Sequence, residues 1–131
     1  MDGLWMVADW AGRILLAAVF INSGIFHLAG HNNATAYAKS KGVPAPGFFV
    51  ALTGIQIIAG GAMIVLGWHA IVGALLLLVF LIPVAIIMHP FWRVTDPMQR
   101  MGEQVHFFKD LALAGAALLY MVALHRQGVA L

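Results

Sequence analysis

The sequence predicts an all-α fold, a membrane four-helix bundle, on the evidence of its composition and its apolar runs. Of its 131 residues, 63% are hydrophobic and 9% are charged, and the mean hydropathy is +0.94, whereas about a quarter of residues are charged in soluble proteins. A helix needs roughly 20 apolar residues to cross the hydrocarbon core of a bilayer. The runs therefore predict a single transmembrane domain, 1–131, with spans at about 10–29, 47–66, 70–88 and 107–124.

Composition also excludes several classes of function. The net charge of +2 rests on seven basic residues scattered along the chain, without the clustered basic stripe of a nucleic-acid-binding protein. The chain has no cysteine, which excludes disulfides, thiolate metal sites and iron–sulfur ligation by its own residues. A redox role therefore needs a bound quinone, metal or other cofactor. The N-terminus lacks the positive region of a signal peptide, so we expect the first apolar run to be kept as a helix.

The first span carries its polar residues along one helical face. Asp9 and Arg13 lie four residues apart at one end of this face, and His27 and His31 lie four apart at the other. Residues at this spacing are neighbours on a helix surface. Charged groups at membrane depth turn toward the bundle interior and pair, so we predict a structural ion pair between Asp9 and Arg13 that faces protein.

The connections between the spans predict two further helical segments. In the connection between spans one and two, Asn32 or Asn33 can cap a short helix, and Gly42 suits the left-handed residue after its end. Before span four, Asp96 and Pro97 form a strong helix start, with an aspartate cap followed by proline at the first position. The residues that follow predict an interfacial amphipathic helix that leads into span four.

Small and polar residues inside the spans predict how the helices pack. Gly60 and Gly61 in span two and Gly115 in span four offer surfaces for close approach, either within the bundle or to another subunit. Gln56 should find a hydrogen-bonding partner across a helix interface. Pro83 should kink span three.

Short motifs spread over nearly the whole chain resemble those of the DoxX family of small four-helix membrane proteins. Their order and spacing together make the resemblance specific. The motifs are Gly12-Arg13-Ile14-Leu15-Leu16, Ser23-Gly24 with a polar residue at 27, Ala36-Tyr37 leading to Gly42-Val43-Pro44-Ala45-Pro46, His89-Pro90-Phe91-Trp92, Asp96-Pro97, and Phe108-Lys109-Asp110-Leu111-Ala112-Leu113-Ala114-Gly115.

The resemblance implies a membrane subunit associated with quinone-linked redox chemistry. The thiosulfate:quinone oxidoreductases that gave the family its name are one example, and oxidative-stress and respiratory assemblies are others. At most, the chain would be the membrane subunit of an oxidoreductase complex. The chain departs from the family pattern at two positions, because His27 stands where many members have lysine and Asp110 where most have asparagine.

Four spans place the 1–2 and 3–4 connections, with most of the histidines, on one side of the membrane. The functional interpretation is a quinone or lipid headgroup site near the turn from His89 to Trp92. A metal or haem site is an alternative, since imidazoles with a carboxylate suit zinc, copper or non-haem iron. The candidate headgroup residues are His27, His89, Phe91, Trp92, His106 and Asp110, and the candidate metal ligands are His27, His31, His89 and His106.

Two plainer interpretations compete with these sites. Histidines at helix ends also bond backbone carbonyls or lipid headgroups, and Phe91 and Trp92 suit an aromatic belt at the membrane interface. The chain would then be a non-catalytic accessory subunit that stabilises a larger membrane complex. Under either interpretation the expected partners are the lipid bilayer and other protein subunits.

The distribution of basic residues predicts the orientation of the chain. The positive-inside rule places both long connections in the cytoplasm and both termini in the periplasm of a bacterial inner membrane. The basic residues on the side of the connections are Lys39, Lys41, Arg93, Arg100 and Lys109, against Arg13 and Arg126 on the other side.

Overall fold

The structure of the protein, a computed structural model, describes residues 2–131 and is helical, with no strand in that range. Its α-helices are α1 (Gly3–Ala29), α2 (His31–Ser40), α3 (Pro46–Leu66), α4 (Ala70–Met88) and α5 (Pro97–Arg126), and a 3₁₀ turn at Phe91–Arg93 joins α4 to α5. Helices α1, α3, α4 and α5 are long and apolar enough to cross a membrane. The predicted all-α membrane bundle is therefore confirmed.

Two of the spanning helices are longer than the apolar runs predict, because an aspartate caps each one. Helix α1 begins at Gly3 rather than near residue 10, and the Asp2 side chain accepts a hydrogen bond from the Trp5 backbone N–H at 3.3 Å. The Asp96 side chain accepts from the Gln99 N–H at 3.3 Å, as its cap position predicts. The amphipathic segment and span four form one continuous helix of 30 residues.

Helix α2 begins earlier than predicted and without an asparagine cap. Its N-cap is Gly30, and no side chain bonds the free N–H groups of its first turn, so the predicted cap at Asn32 or Asn33 is wrong. The Nε2–H of His31 instead donates to the Gly47 carbonyl oxygen at 2.9 Å, which ties the start of α2 to the start of α3. Gly42 has φ of +81°, the left-handed conformation expected of it.

Glycines set the close approach of neighbouring helices. Helix α1 packs on α3, α3 on α4 and α4 on α5. A Cβ atom on Gly60 would lie 2.9 Å from the carbonyl oxygen of Gly73, and one on Gly24 would lie 2.8 Å from that of Gly54. The close packing predicted at Gly60 is therefore confirmed at the α3–α4 contact. Gly115, in contrast, leaves open space around its Cβ position within the described chain.

A polar tether between α3 and α4 and an apolar core complete the bundle. Gln56 Nε2 donates to the Leu76 carbonyl oxygen at 2.8 Å, so the partner predicted for Gln56 lies on α4. Phe20, Ile57 and Leu77 are buried in the core. Large apolar side chains on the outer faces are exposed, Leu119 of α5 by 73%, which is the surface that a bilayer covers.

The ion pair predicted in α1 lies at the end of the bundle that carries both termini. Arg13 Nη2 is 2.8 Å from Asp9 Oδ2, and the two side chains are 21% and 32% exposed. The Arg13 guanidinium packs over the turn after α3, since Nη1 would be 2.6 Å from a Cβ atom on Gly67. A cation at this position also faces the carbonyl groups at the C-terminal end of α3, where positive charge is stabilising.

The glycine contacts lead to a first prediction. Gly60→Ala should lower the free energy of unfolding by about 1–3 kcal/mol, because the added methyl group overpacks the α3–α4 contact. Gly115→Ala is the matched control and should leave stability unchanged or raise it by up to about 1 kcal/mol, since alanine favours a helix over glycine. Unfolding in mixed micelles with increasing SDS, followed by circular dichroism, measures both. Equal stability of the two variants would contradict the close contact.

Candidate functional site

A cavity of about 600 Å³ lies between α1, α3 and α4 at the end of the bundle that carries the two long connections. Ala34, Tyr37 and Ala38 of α2 contribute to its lining. Its walls are largely apolar and aromatic, with residues such as Phe20 and Phe80. The volume is in the range of roughly 300–1,000 Å³ that is typical of small-molecule sites.

A few polar side chains converge on this cavity, and two of them lack partners. His27 and Asp110 both line it. Among residues 2–131, neither His27 Nδ1 nor Asp110 Oδ2 has a hydrogen-bond partner, although both atoms are buried. The His27 ring packs edge-on against Phe80, with ring centroids 6.1 Å apart. Since a buried polar atom without a hydrogen bond costs free energy, these two atoms mark where a polar ligand group would be stabilised.

Beside the cavity lies a cluster of charged and imidazole groups that we call the polar network, formed by Lys41, His89, Glu103 and Asp110. Glu103 accepts from Lys41 Nζ at 2.9 Å and from His89 Nδ1 at 2.7 Å, through different oxygens. On the other side of the imidazole, His89 Nε2 lies 3.8 Å from Asp110 Oδ2. His89 therefore lies between a partly exposed carboxylate and a buried one.

The order of residues along the chain explains how the polar network assembles. Helix α4 ends at Met88, and Pro90 prevents it from continuing, which leaves His89 at the mouth of the cavity. Glu103 and Asp110 are seven residues apart, so they lie on one face of α5, about two turns from each other. The first connection brings Lys41 across to Glu103. The polar network thus combines residues from three parts of the chain: the first connection, the end of α4 and α5.

The fold agrees with the comparisons with known proteins. The DoxX family model matches residues 8–90 of the chain, a range that includes most of α1 and all of α2, α3 and α4. The chain belongs to the DoxX family. It is also 27% identical over 111 residues to the inner membrane protein YphA of Escherichia coli (strain K12). The aligned region covers 84% of this chain and 78% of YphA. No solved structure matches it.

The DoxX match ends at Pro90, so it includes two of the polar groups at the cavity but not those of α5. His27 and His89 lie within the matched range, whereas Glu103 and Asp110 follow it. The carboxylates of this site therefore belong to a part of the chain that the family model leaves unmatched. The site in this DoxX protein combines both parts.

Of the headgroup residues predicted from sequence, the structure brings three to the cavity. His27, His89 and Asp110 line it, and His106 does not. The His106 ring stacks on that of His89, with centroids 5.0 Å apart and planes at 25°, on the exposed side of α5. His106 can therefore orient His89 but does not line the cavity.

The predicted aromatic residues also lie outside the cavity lining. Phe91 packs against Trp92 and Phe107 with ring centroids 5.3 Å apart in each case, and Trp92 is 46% exposed. These rings, together with Phe108, form a cluster at the start of α5. This placement is typical of an aromatic belt at the membrane interface.

The metal ligands predicted from sequence do not come together. His31 bonds the Gly47 carbonyl through Nε2, and His106 stacks outside the cavity. Within residues 2–131, no three histidine, aspartate or glutamate side chains are grouped as a metal site would require. The geometry therefore favours a headgroup site over a metal site at this end of the bundle.

Two members of the site, Lys41 and Glu103, are not among the site residues predicted from the sequence. Glu103 could have been predicted, because its spacing of seven residues from Asp110 places both carboxylates on one face of a helix. Lys41 could not have been predicted from local sequence, since its partner Glu103 lies 62 residues away along the chain. Only the fold shows that pair.

The polar network leads to a second prediction for this DoxX protein. Glu103→Ala should lower the free energy of unfolding by about 1–3 kcal/mol, because Lys41 and His89 lose their acceptor while they stay partly buried. Gln104→Ala is the matched control, since Gln104 is exposed and lies next to Glu103 on α5; it should change stability by less than about 0.5 kcal/mol. SDS titration measures both, and equal losses would show that the network does not hold the connections together.

Proposed function

We propose that this DoxX protein binds a quinone through its headgroup at the polar end of the cavity. The observation that carries the proposal is the pairing of a largely apolar cavity with two buried, unpartnered polar atoms, His27 Nδ1 and Asp110 Oδ2. A quinone has an apolar tail for such walls. Its two ring oxygens accept hydrogen bonds in the oxidised form and donate them as hydroxyl groups in the reduced form, so they can bond such polar groups. Sites for small molecules generally combine apolar walls with a few placed polar groups.

The charges around the cavity favour a neutral headgroup over an anionic lipid headgroup. Lys41 is paired with Glu103 at 2.9 Å, and Lys109 Nζ lies 3.7 Å from Asp110 Oδ1. The two cations are thus matched by two carboxylates within the protein. A phosphate group would meet no unpaired positive charge here, whereas an uncharged ring disturbs neither pair.

The proposed role is that of a quinone-binding membrane subunit in an oxidoreductase complex. The side chains at the cavity can bind and orient a ring and exchange protons with it. The electrons would be exchanged with another protein subunit, since the chain has no cysteine and little mass outside the membrane. The resemblance to the DoxX family, which takes its name from thiosulfate:quinone oxidoreductases, supports this role.

The rival proposal is a non-catalytic accessory subunit of a larger complex. The open space around the Cβ position of Gly115 favours it, because glycine on an outer helix face permits the backbone of another helix to approach closely. The two proposals differ in whether a quinone accompanies the purified protein.

A third prediction tests the quinone proposal. After purification in mild detergent without lipid removal, organic extraction and mass spectrometry should recover quinone in near-stoichiometric amount from the wild type. His27→Ala should reduce the recovered quinone about tenfold, because it removes one hydrogen bond at the headgroup. His125→Ala is the matched control, since His125 is an exposed histidine at the other end of α5.

The same experiment distinguishes the quinone proposal from the accessory-subunit proposal. Absence of quinone from the wild type, or equal recovery from His27→Ala and the control, would contradict the quinone proposal. Co-purification of a larger assembly that contains no quinone would favour the accessory subunit.

We also propose that the chain lies in a bacterial inner membrane with both termini in the periplasm. The name of its relative, inner membrane protein YphA, and the basic residues of the two connections support this. As a fourth prediction, alkaline phosphatase fused after Leu131 should be active and green fluorescent protein fused there should be dark. Fusions after Arg93, in the connection between α4 and α5, should behave in the opposite way. The reverse pattern at both sites would invert the orientation.

A further inference from the structure

Asp110 is the one charged side chain that is buried among residues 2–131, with 5% of its surface exposed. Its two oxygens have different surroundings. Oδ1 lies 3.7 Å from Nζ of Lys109, whose side chain is half-exposed. Oδ2 is buried at the cavity lining without a hydrogen-bond partner in the described chain. In its ionised form Asp110 accepts hydrogen bonds and donates none, so Oδ2 of that form offers an acceptor to a molecule in the cavity.

One polar neighbour of Oδ2, the Nε2 atom of His89, is a second acceptor when the His89 imidazole is neutral. His89 Nδ1 lies 2.7 Å from Glu103 Oε2, and a carboxylate partner assigns the ring proton to Nδ1. In the neutral imidazole, Nε2 then carries a lone pair, and it lies 3.8 Å from Asp110 Oδ2. Two acceptors that face each other at this distance are best satisfied by a donor between or beside them.

We propose, on the basis of the quinone-binding function above, that this site binds the reduced quinol form in preference to the oxidised quinone. A quinol carries two hydroxyl groups, one of which donates to Asp110 Oδ2. The oxygens of a quinone are acceptors only, so a quinone oxygen at the same place would meet the lone pairs of Asp110 and His89. His27 Nδ1 accepts or donates according to its tautomer, so it accommodates the ring in either form and does not set the preference.

The test compares three ligands that share one decyl tail. They are a benzoquinone, the corresponding hydroquinone, and the hydroquinone dimethyl ether, which keeps both oxygens but has no donor. Binding constants come from isothermal titration calorimetry in detergent micelles, corrected with protein-free micelles. Dithiothreitol keeps the hydroquinone reduced without altering the protein, because the chain has no cysteine.

The wild type should bind the hydroquinone about tenfold or more tighter than either the benzoquinone or the dimethyl ether, as expected for a hydrogen bond to a charged acceptor. Asp110→Asn should bring the ratio of hydroquinone to benzoquinone affinity close to one, because an amide both donates and accepts. Asp96→Asn is the matched control and should keep the wild-type ratio, since Asp96 is an exposed helix cap and asparagine caps a helix equally well.

The outcomes distinguish this inference from the function on which it rests. Benzoquinone binding as tight as hydroquinone binding in the wild type would overturn the quinol preference and leave quinone binding in place. An unchanged ratio in Asp110→Asn would overturn the role of Asp110. Absence of binding by all three ligands would overturn the proposed function as well. If Asp110→Asn fails to fold, the comparison of hydroquinone with its dimethyl ether on the wild type still decides the question.

Discussion

The carboxylate of Glu103 holds the functional end of this molecule together. It bonds Lys41 after α2 and His89 after α4 through separate oxygens, so three stretches that are far apart in sequence meet at one side chain of α5. Such charge-assisted hydrogen bonds are stronger than neutral ones, and here they fix both long connections at once. The tautomer of His89 and the link between the two long connections both depend on this contact.

The sequence predicts the bundle well, since its evidence is local. Apolar runs of sufficient length and an aspartate before Pro97 are sufficient to place the spans and the start of α5. The start of α2 could not be predicted in this way, because it depends on His31 reaching a carbonyl of α3 rather than on a capping side chain. Tertiary contact decides that boundary, and the two asparagines that favour a cap remain in solvent-exposed positions.

Only part of the site could be predicted from the sequence, because tertiary contacts decide which side chains reach the cavity. Helical spacing brings Asp110 and His106 to one face of α5. It cannot show that His106 stacks outside the cavity while His89 lies between two carboxylates. Histidines that share a membrane side need not share a ligand. The predicted set of metal ligands assumed that histidines on one side of the membrane converge on one ligand. His31 does not, because its Nε2–H donates to the backbone carbonyl of Gly47.

The length of α5 has a consequence for how a ligand reaches the protein. Its 30 residues extend about 45 Å at 1.5 Å per residue, beyond a hydrocarbon core of about 30 Å. With Arg126 at one membrane surface, Asp110 lies about 24 Å along the helix axis, still within the depth of the acyl chains. The proposed quinone dissolves in the acyl chains and would reach this depth from the bilayer. Its occupancy would then depend on its mole fraction in the bilayer, so a change in lipid composition would alter binding without any change in the protein.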